Sequence, residues 1–175
     1  GWKTWLIDNS QLTIDNSKDH SKDNHQSPIT NRQSSVIDCR IPHNWDDYYG
    51  YRQLTHGNLH GTAMYVKDFS LDTCQLSTVN SQLKRYFLRF EGVGTYATIK
   101  VNGHDFGRHP VGRTTLTLDV TDALKQGTNR LEVKAEHPEM IADMPWVCGG
   151  CSSEWGFSEG SQPLGIFRPV VLEVT

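Results

Sequence analysis

Carboxylates and aromatic rings lie side by side in one stretch near the end of the sequence. Glu154 and Glu159 flank Trp155 and Phe157, and Trp146 precedes them. Aromatic rings stack on the apolar faces of small molecules, and a few well-placed polar groups fix the orientation of the ligand. Sugars combine apolar C–H faces with hydroxyl groups, so this stretch predicts a carbohydrate-binding site.

A second aromatic-rich stretch begins at Trp45. It continues through two aspartates and three tyrosines, namely Asp46, Asp47, Tyr48, Tyr49 and Tyr51. For this reason we include Trp45 in the predicted carbohydrate-binding set. The alternative is that Trp45 belongs to the core and that the loop aromatics pack against another domain. The sequence leaves both interpretations open.

Two of the four cysteines, Cys148 and Cys151, have the C-x-x-C spacing of a zinc half-site, a redox pair or a short-loop disulfide. Cys39 and Cys74 stand alone, so no second half-site completes a zinc centre, and no βαβ pattern supports thioredoxin-like redox chemistry. We therefore expect a structural pair, as a disulfide or as two buried thiols, and no metal centre. The one cofactor left open is a structural calcium ion at a loop carboxylate, although no D-x-D-x-D-G spacing is present.

The composition argues against two classes of partner. The chain has 175 residues, of which 36% are hydrophobic and 21% charged, and its formal net charge is -3. A nucleic-acid binder usually presents a basic face that neutralises phosphates. No apolar run approaches the roughly 20 residues of a membrane-spanning helix. We expect neither nucleic acid nor membrane as a partner, and no signal peptide is visible after Gly1.

Short runs of alternating apolar and polar residues predict β-strands from Val36 onward. Tyr86, Leu88 and Phe90 share one face of such a strand, and Asn102-Gly103 is the strongest two-residue hairpin signal in the sequence. We count eight or nine short strands and no helix longer than one or two turns. The pattern predicts an all-β fold, an antiparallel β-sandwich or jelly roll.

Two segments depart from the strand pattern. Residues 9–35 are polar and contain few large apolar side chains, which predicts an exposed and partly disordered insertion within a single domain spanning 1–175. Thr121-Asp122 is expected to cap a short helical turn at Ala123–Lys125. In the last strand, Arg168 is expected to pack its stem on the domain or to pair with a carboxylate on a neighbouring strand.

Five ordered stretches of the sequence form a recognisable set. They are Ile41-Pro42-His43-Asn44-Trp45, Arg89-Phe90-Glu91-Gly92-Val93, Val101-Asn102-Gly103, Asp119-Val120-Thr121-Asp122 with the following Gly127 and Asn129, and Gly165-Ile166-Phe167-Arg168-Pro169-Val170. Together they resemble the sugar-binding N-terminal domain of family 2 glycoside hydrolases, the group of β-galactosidase, β-glucuronidase and β-mannosidase. The resemblance extends from about Val36 to Thr175.

The resemblance implies a jelly roll of the galactose-binding-domain-like type. It also implies a parent enzyme that hydrolyses O-glycosyl bonds in carbohydrate metabolism, of the β-galactosidase-like kind. The partner of the domain would then be a carbohydrate or the catalytic barrel of that parent. A bacterial enzyme of this kind is expected in the periplasm or outside the cell, with any export signal lying outside this sequence.

The sequence predicts no catalytic residue in this chain. Glycoside hydrolysis normally uses two carboxylates, and in the resembled family these are glutamates of a separate barrel, one of which follows an Asn. This sequence has no Asn-Glu dipeptide, and a (β/α)₈ barrel needs about 250 residues. We therefore expect a non-catalytic domain of a glycoside hydrolase. The alternatives are an autonomous carbohydrate-binding module and a protein-interaction sandwich without a role in sugar binding.

Overall fold

The structure of the chain is a computed structural model that describes residues 1–7, 35–45, 59–72, 84–138 and 163–175. The predicted insertion at 9–35 lies outside these ranges, apart from its last residue. The described residues form nine strands, which are β1 (Trp2–Ile7), β2 (Ile37–Cys39), β3 (Gly61–Leu71), β4 (Tyr86–Phe90), β5 (Val93–Val101), β6 (His104–Gly112), β7 (Leu116–Asp119), β8 (Gly127–His137) and β9 (Val170–Val174).

The nine strands form two antiparallel sheets. The larger sheet has the order β2-β1-β3-β8-β5-β6, and the smaller sheet has the order β7-β4-β9. No helix in the described ranges is long and apolar enough to cross a membrane. The predicted class, an antiparallel β-sandwich, is confirmed.

Alternation of apolar and polar residues produces the core between the sheets. In the larger sheet, Ile99 on β5 faces Val133 on β8, and both side chains are buried. In the smaller sheet, the predicted inward face of β4 is confirmed, because Tyr86, Leu88 and Phe90 are all buried. Burial of one Val, Leu, Ile or Phe side chain stabilises the fold by about 1.5–3 kcal/mol. The same alternation turns the charged residues of β8 away from the core.

Strand β6 forms one edge of the larger sheet and pairs irregularly with β5. The register shifts twice, between Val93 and Tyr96 and between Thr98 and Lys100. The strand also contains Pro110, and Gly107 in it has a φ of 87°. A proline has no N–H to donate to a neighbouring strand.

The predicted hairpin at Asn102-Gly103 joins β5 to β6, and both residues have positive φ, 52° and 83°. The side chain of Asn102 makes long-range hydrogen bonds as well. Its Nδ2 donates to Oδ1 of Asn129 at 2.7 Å and to the carbonyl of Ala123 at 2.8 Å. Its Oδ1 accepts the N–H of Arg130 at 2.9 Å. The turn residue therefore also fastens the hairpin to the beginning of β8.

Asn129 completes this polar network inside the sandwich. Its side chain is fully buried, and its Oδ1 accepts the N–H of Lys125 at 2.9 Å in addition to the bond from Asn102. Its Nδ2 donates to the carbonyls of Lys125 and Gly127 at 2.7 and 3.0 Å. An Asn side chain offers two donors and two acceptor sites. All four are used, so this buried amide is fully satisfied.

The turn before β8 differs from the sequence prediction. A 3₁₀ turn spans Thr121–Ala123, so the predicted turn at Ala123–Lys125 was placed wrongly. The reason lies in the hydroxyl of Thr121, which donates to Oδ1 of Asp119 at 2.6 Å and accepts the N–H of Tyr86 at 2.9 Å. The hydroxyl joins strands β7 and β4 and does not cap a helical turn.

We expect Asn129→Ala to lower the free energy of unfolding by about 3 kcal/mol, because the substitution removes a buried amide and leaves several partly buried backbone and side-chain groups without their partner. Urea unfolding followed by circular dichroism measures the change. Thr128→Ala, at the exposed neighbouring position, is the control and should stay within about 0.5 kcal/mol of the parent. Similar shifts for the two variants would contradict the structural role of Asn129.

Asp119 provides a prediction for the pH dependence of stability. The hydroxyl of Thr121, followed by the guanidinium of Arg85, lowers the pKa of Asp119 from 3.8 to about 2. A carboxyl group with a lowered pKa in the folded state stabilises the protein above the unfolded-state pKa. This contribution should be complete above about pH 4 and should be lost as the pH falls to about 2. An NMR titration of the Asp119 carboxyl carbon tests this, and a midpoint near 3.8 would contradict it.

Candidate functional site

Most of the predicted site lies outside the described residues. This applies to the carbohydrate-binding candidates Trp146, Glu154, Trp155, Phe157 and Glu159, and to the possible disulfide partners Cys148 and Cys151. Their roles stay predictions. The structure does describe Trp45, and it describes the residues on either side of the stretch that carries the others.

Residues 139–162 connect two described elements at one end of the sandwich. Strand β8 leads into this stretch through His137 and Pro138, and the chain is described again from Pro163. The next residues are close to the core, because Gly94 at the beginning of β5 donates its N–H to the carbonyl of Gly165 at 3.0 Å. Both ends of the stretch are therefore held by the six-stranded sheet.

Residues 46–58 connect to the same end. The N–H of Trp45, just before this stretch, donates to the carbonyl of Leu164 at 2.8 Å. After the stretch, the ring of His60 packs edge-to-face on the ring of His137, with the ring centroids 4.8 Å apart. We call the part of the sandwich that contains Trp45, His60, His137 and Leu164 the attachment end.

Trp45 is a core residue of the attachment end. Its side chain is 8% exposed, and its Nε1 donates to Oγ1 of Thr4 at 3.2 Å. The hydroxyl of Thr4 donates in turn to the carbonyl of Met64 at 2.7 Å. The indole thus links the chain before residues 46–58 to β1 and β3. This burial matches the core interpretation of Trp45, while its contact with sugar stays a prediction.

Two of the motifs found in the sequence meet at this end. The Pro-His-Asn-Trp motif and the Gly-Ile-Phe-Arg motif are about 120 residues apart in the sequence. In the structure they run side by side, since the N–H of His43 donates to the carbonyl of Ile166 at 2.8 Å and Trp45 bonds Leu164. The order of the motifs alone did not reveal this pairing.

Tyr65 and Gly165 are residues of the attachment end that sequence reasoning missed. Tyr65 is fully buried on β3, and its hydroxyl lies 2.7 Å from Nδ1 of His43. Gly165 has a φ of 141°, and a Cβ at that position would lie 2.8 Å from the carbonyl oxygen of His43 and closer still to the hydroxyl of Tyr65. The sequence contained one indication that Gly165 is important, namely its position as the first residue of the Gly-Ile-Phe-Arg motif.

Most of the described carboxylates form ion pairs. On the smaller sheet, Arg89 bonds both Glu91 and Glu173. The two carboxyl groups with a clear shift, Asp105 and Asp119, both have a lowered pKa, which results mainly from hydrogen bonds donated by the Gly107 N–H and by Thr121, respectively. A general acid needs a raised pKa. No group of three metal-ligating side chains occurs within the ranges that the structure describes.

Comparison with known proteins identifies the family. The profile of the family described as "Glycosyl hydrolase 2 galactose-binding domain-like" matches residues 39–144. The chain therefore belongs to this family, and the resemblance seen in the sequence motifs is confirmed.

Individual relatives agree with this assignment and show how much of an enzyme the chain represents. A β-glucuronidase of Bacteroides fragilis is 34% identical over 93 residues, which are 53% of this chain and 12% of that protein. A relative from Formosa agariphila is 28% identical over 141 residues, 77% of this chain and 12% of the relative. The crystal structure of a β-glycosidase from Bacteroides vulgatus matches 99% of this chain and 19% of its own, with a TM-score of 0.61 and 26% identity. The chain thus spans about an eighth of the length of the curated relatives that it matches.

Gly165→Ala tests the close packing at the attachment end. We expect it to lower the free energy of unfolding by about 3 kcal/mol, because overpacking adds to the strain of a positive φ. Gly127→Ala is the matched control, since Gly127 also has a positive φ, 80°, but no atom within 4 Å of the added Cβ. Thermal unfolding measures both variants.

A double variant identifies the clashing partner. Adding Tyr65→Phe to Gly165→Ala should recover part of the lost stability, because the hydroxyl that the new Cβ approaches is then absent. Strictly additive effects of the two substitutions, or equal losses for Gly165→Ala and Gly127→Ala, would contradict this account.

Proposed function

We propose that this chain is a non-catalytic, sugar-binding-type domain of a larger glycoside hydrolase of the β-glucuronidase and β-galactosidase group, which hydrolyses O-glycosyl bonds. One observation carries the proposal: a chain that belongs to the galactose-binding-like family spans only 12% of relatives named as β-glucuronidases. The remaining part of the parent supplies the catalytic carboxylates. This domain supplies a rigid support beside them and contact with the carbohydrate.

The attachment end supports the proposed role in carbohydrate contact. Binding residues are often located on connecting segments that a rigid scaffold holds in place. The attachment end holds the described residues that flank 46–58 and 139–162, and the second of these stretches contains the predicted set Trp146, Glu154, Trp155, Phe157 and Glu159. The catalytic domain of the parent is the proposed protein partner, and a secreted or periplasmic location is proposed with it.

A second candidate function is an autonomous carbohydrate-binding module. It is favoured by the core of the described sandwich, whose two sheets bury their own apolar faces without another domain. A domain with a closed core can fold and bind alone. The two candidates differ in whether the isolated chain has measurable affinity for sugar.

We would test the proposal on the isolated chain in two assays. Nitrophenyl β-glucuronide and β-galactoside should not be hydrolysed, and hydrolysis that survives stringent purification would overturn the non-catalytic assignment. Calorimetry with mono- and oligosaccharides then separates the two candidates, with Trp155→Ala as the test variant and Trp5→Ala on β1 as the matched control. Millimolar or tighter binding that only Trp155→Ala removes would favour the autonomous module. Absence of binding would favour the first candidate, a domain that supports the catalytic domain of the parent enzyme.

A further inference from the structure

Phe167 and Arg168 pack closely against the backbone at Gly92. A Cβ at Gly92 would lie 2.9 Å from Cδ of Arg168, 3.1 Å from its Cγ and 2.9 Å from Cε2 of Phe167. Beside it, a Cβ at Gly94 would lie 3.4 Å from Cε1 of Phe167. Gly92 thus leaves room for the ring of Phe167 and the stem of Arg168, so the stem packs on the domain, which is one of the two expected arrangements.

The guanidinium of Arg168 is held in place as well. Its Nη1 donates to the carbonyl of Arg113 at 3.1 Å. The next residue is Pro169, which restricts the backbone of Arg168 to extended conformations and whose carbonyl accepts the N–H of Glu91 at 3.1 Å. A long side chain that is already ordered loses less conformational entropy when it binds a ligand.

Within the part of the chain that the structure describes, Arg168 uses little of its hydrogen-bonding capacity. A guanidinium has five N–H donors in a planar fork, and the structure shows one hydrogen bond from this side chain, the bond to Arg113. Within the described ranges no carboxylate pairs with Arg168, whereas four other arginines bond carboxylates, namely Arg85, Arg89, Arg108 and Arg130. Arg168 is an exposed residue, and its neighbour Phe167 is partly buried.

We propose that Phe167 and Arg168 form a binding subsite for an acidic sugar, in which the guanidinium bonds the carboxylate and the ring contacts the apolar face of the sugar. An Arg fork matches a carboxylate with two parallel hydrogen bonds, and an aromatic ring suits the C–H face of a pyranose. The subsite lies close to Pro163, because Gly94, which contacts the ring of Phe167, also lies against the carbonyl of Pro163. This inference rests on the proposed function, because it names the class of sugar that the domain contacts.

The test is an NMR titration of the isolated ¹⁵N-labelled chain with glucuronate, glucose and acetate, observing the Nε–H signal of Arg168. Glucuronate should shift this signal and should bind more tightly than either glucose or acetate. Arg168→Gln should weaken glucuronate binding about tenfold or more, as expected for the loss of charge-assisted hydrogen bonds. Arg168→Lys, which keeps the charge but loses the fork, should weaken it as well. Arg40→Gln, at another exposed arginine, should not change it.

The possible outcomes separate this inference from the proposed function. If neutral sugars bind and Trp155→Ala removes that binding, while glucuronate has no advantage and Arg168→Gln has no effect, the inference is overturned and the proposed function stands. An equal response to acetate and to glucuronate would overturn it too, because the site would then bind any carboxylate. If no sugar shifts any signal, the isolated chain does not bind carbohydrate. Both the subsite and the proposed carbohydrate contact of the isolated chain are then contradicted. Circular dichroism of each variant verifies that it remains folded.

Discussion

Two main-chain hydrogen bonds hold the attachment end together. They join His43 to Ile166 and Trp45 to Leu164, each at 2.8 Å. The pairing brings two distant parts of the sequence into contact with the beginning of β5 and with Tyr65 on β3. Because Gly165 lies between the bonded residues, no side chain larger than hydrogen fits there without displacing the carbonyl of His43 or the hydroxyl of Tyr65.

The consequence concerns the described residues on either side of 46–58 and 139–162. These flanking residues are Trp45, Leu59, Pro138 and Pro163, and all are buried or partly buried. They are therefore ordered before any ligand or neighbouring domain is present, and the entropy of fixing them has been lost during folding. Any domain that contributes residues to a binding site benefits from this property, because its contribution depends on the accuracy with which it presents those residues.

The sequence was sufficient for the class of fold and for the family, because both depend on local patterns. Alternation in β4 predicted which side chains face the core, and Asn102-Gly103 predicted a hairpin. The position of the turn before β8 was wrong, since the hydroxyl of Thr121 is used by a tertiary contact that no local pattern shows. Three other features were not predictable because they depend on residues that are distant in the sequence. They are the pairing of His43 with Ile166, the hydrogen bonds of the Asn129 amide and the packing of Arg168 on Gly92. Of the predicted binding set, only Trp45 lies in the described part.

The irregular edge strand β6 has a consequence for how this domain exists in solution. An unpaired strand at the edge of a sheet offers its N–H and C=O groups to any other extended chain, which is a common route to aggregation. On β6 the two register shifts, Pro110 and the positive φ of Gly107 interrupt the straight row of donors and acceptors that such pairing requires. Strand β6 is therefore a poor template for pairing with a strand of another molecule. At high concentration, copies of the chain should not associate by β-strand addition at this edge.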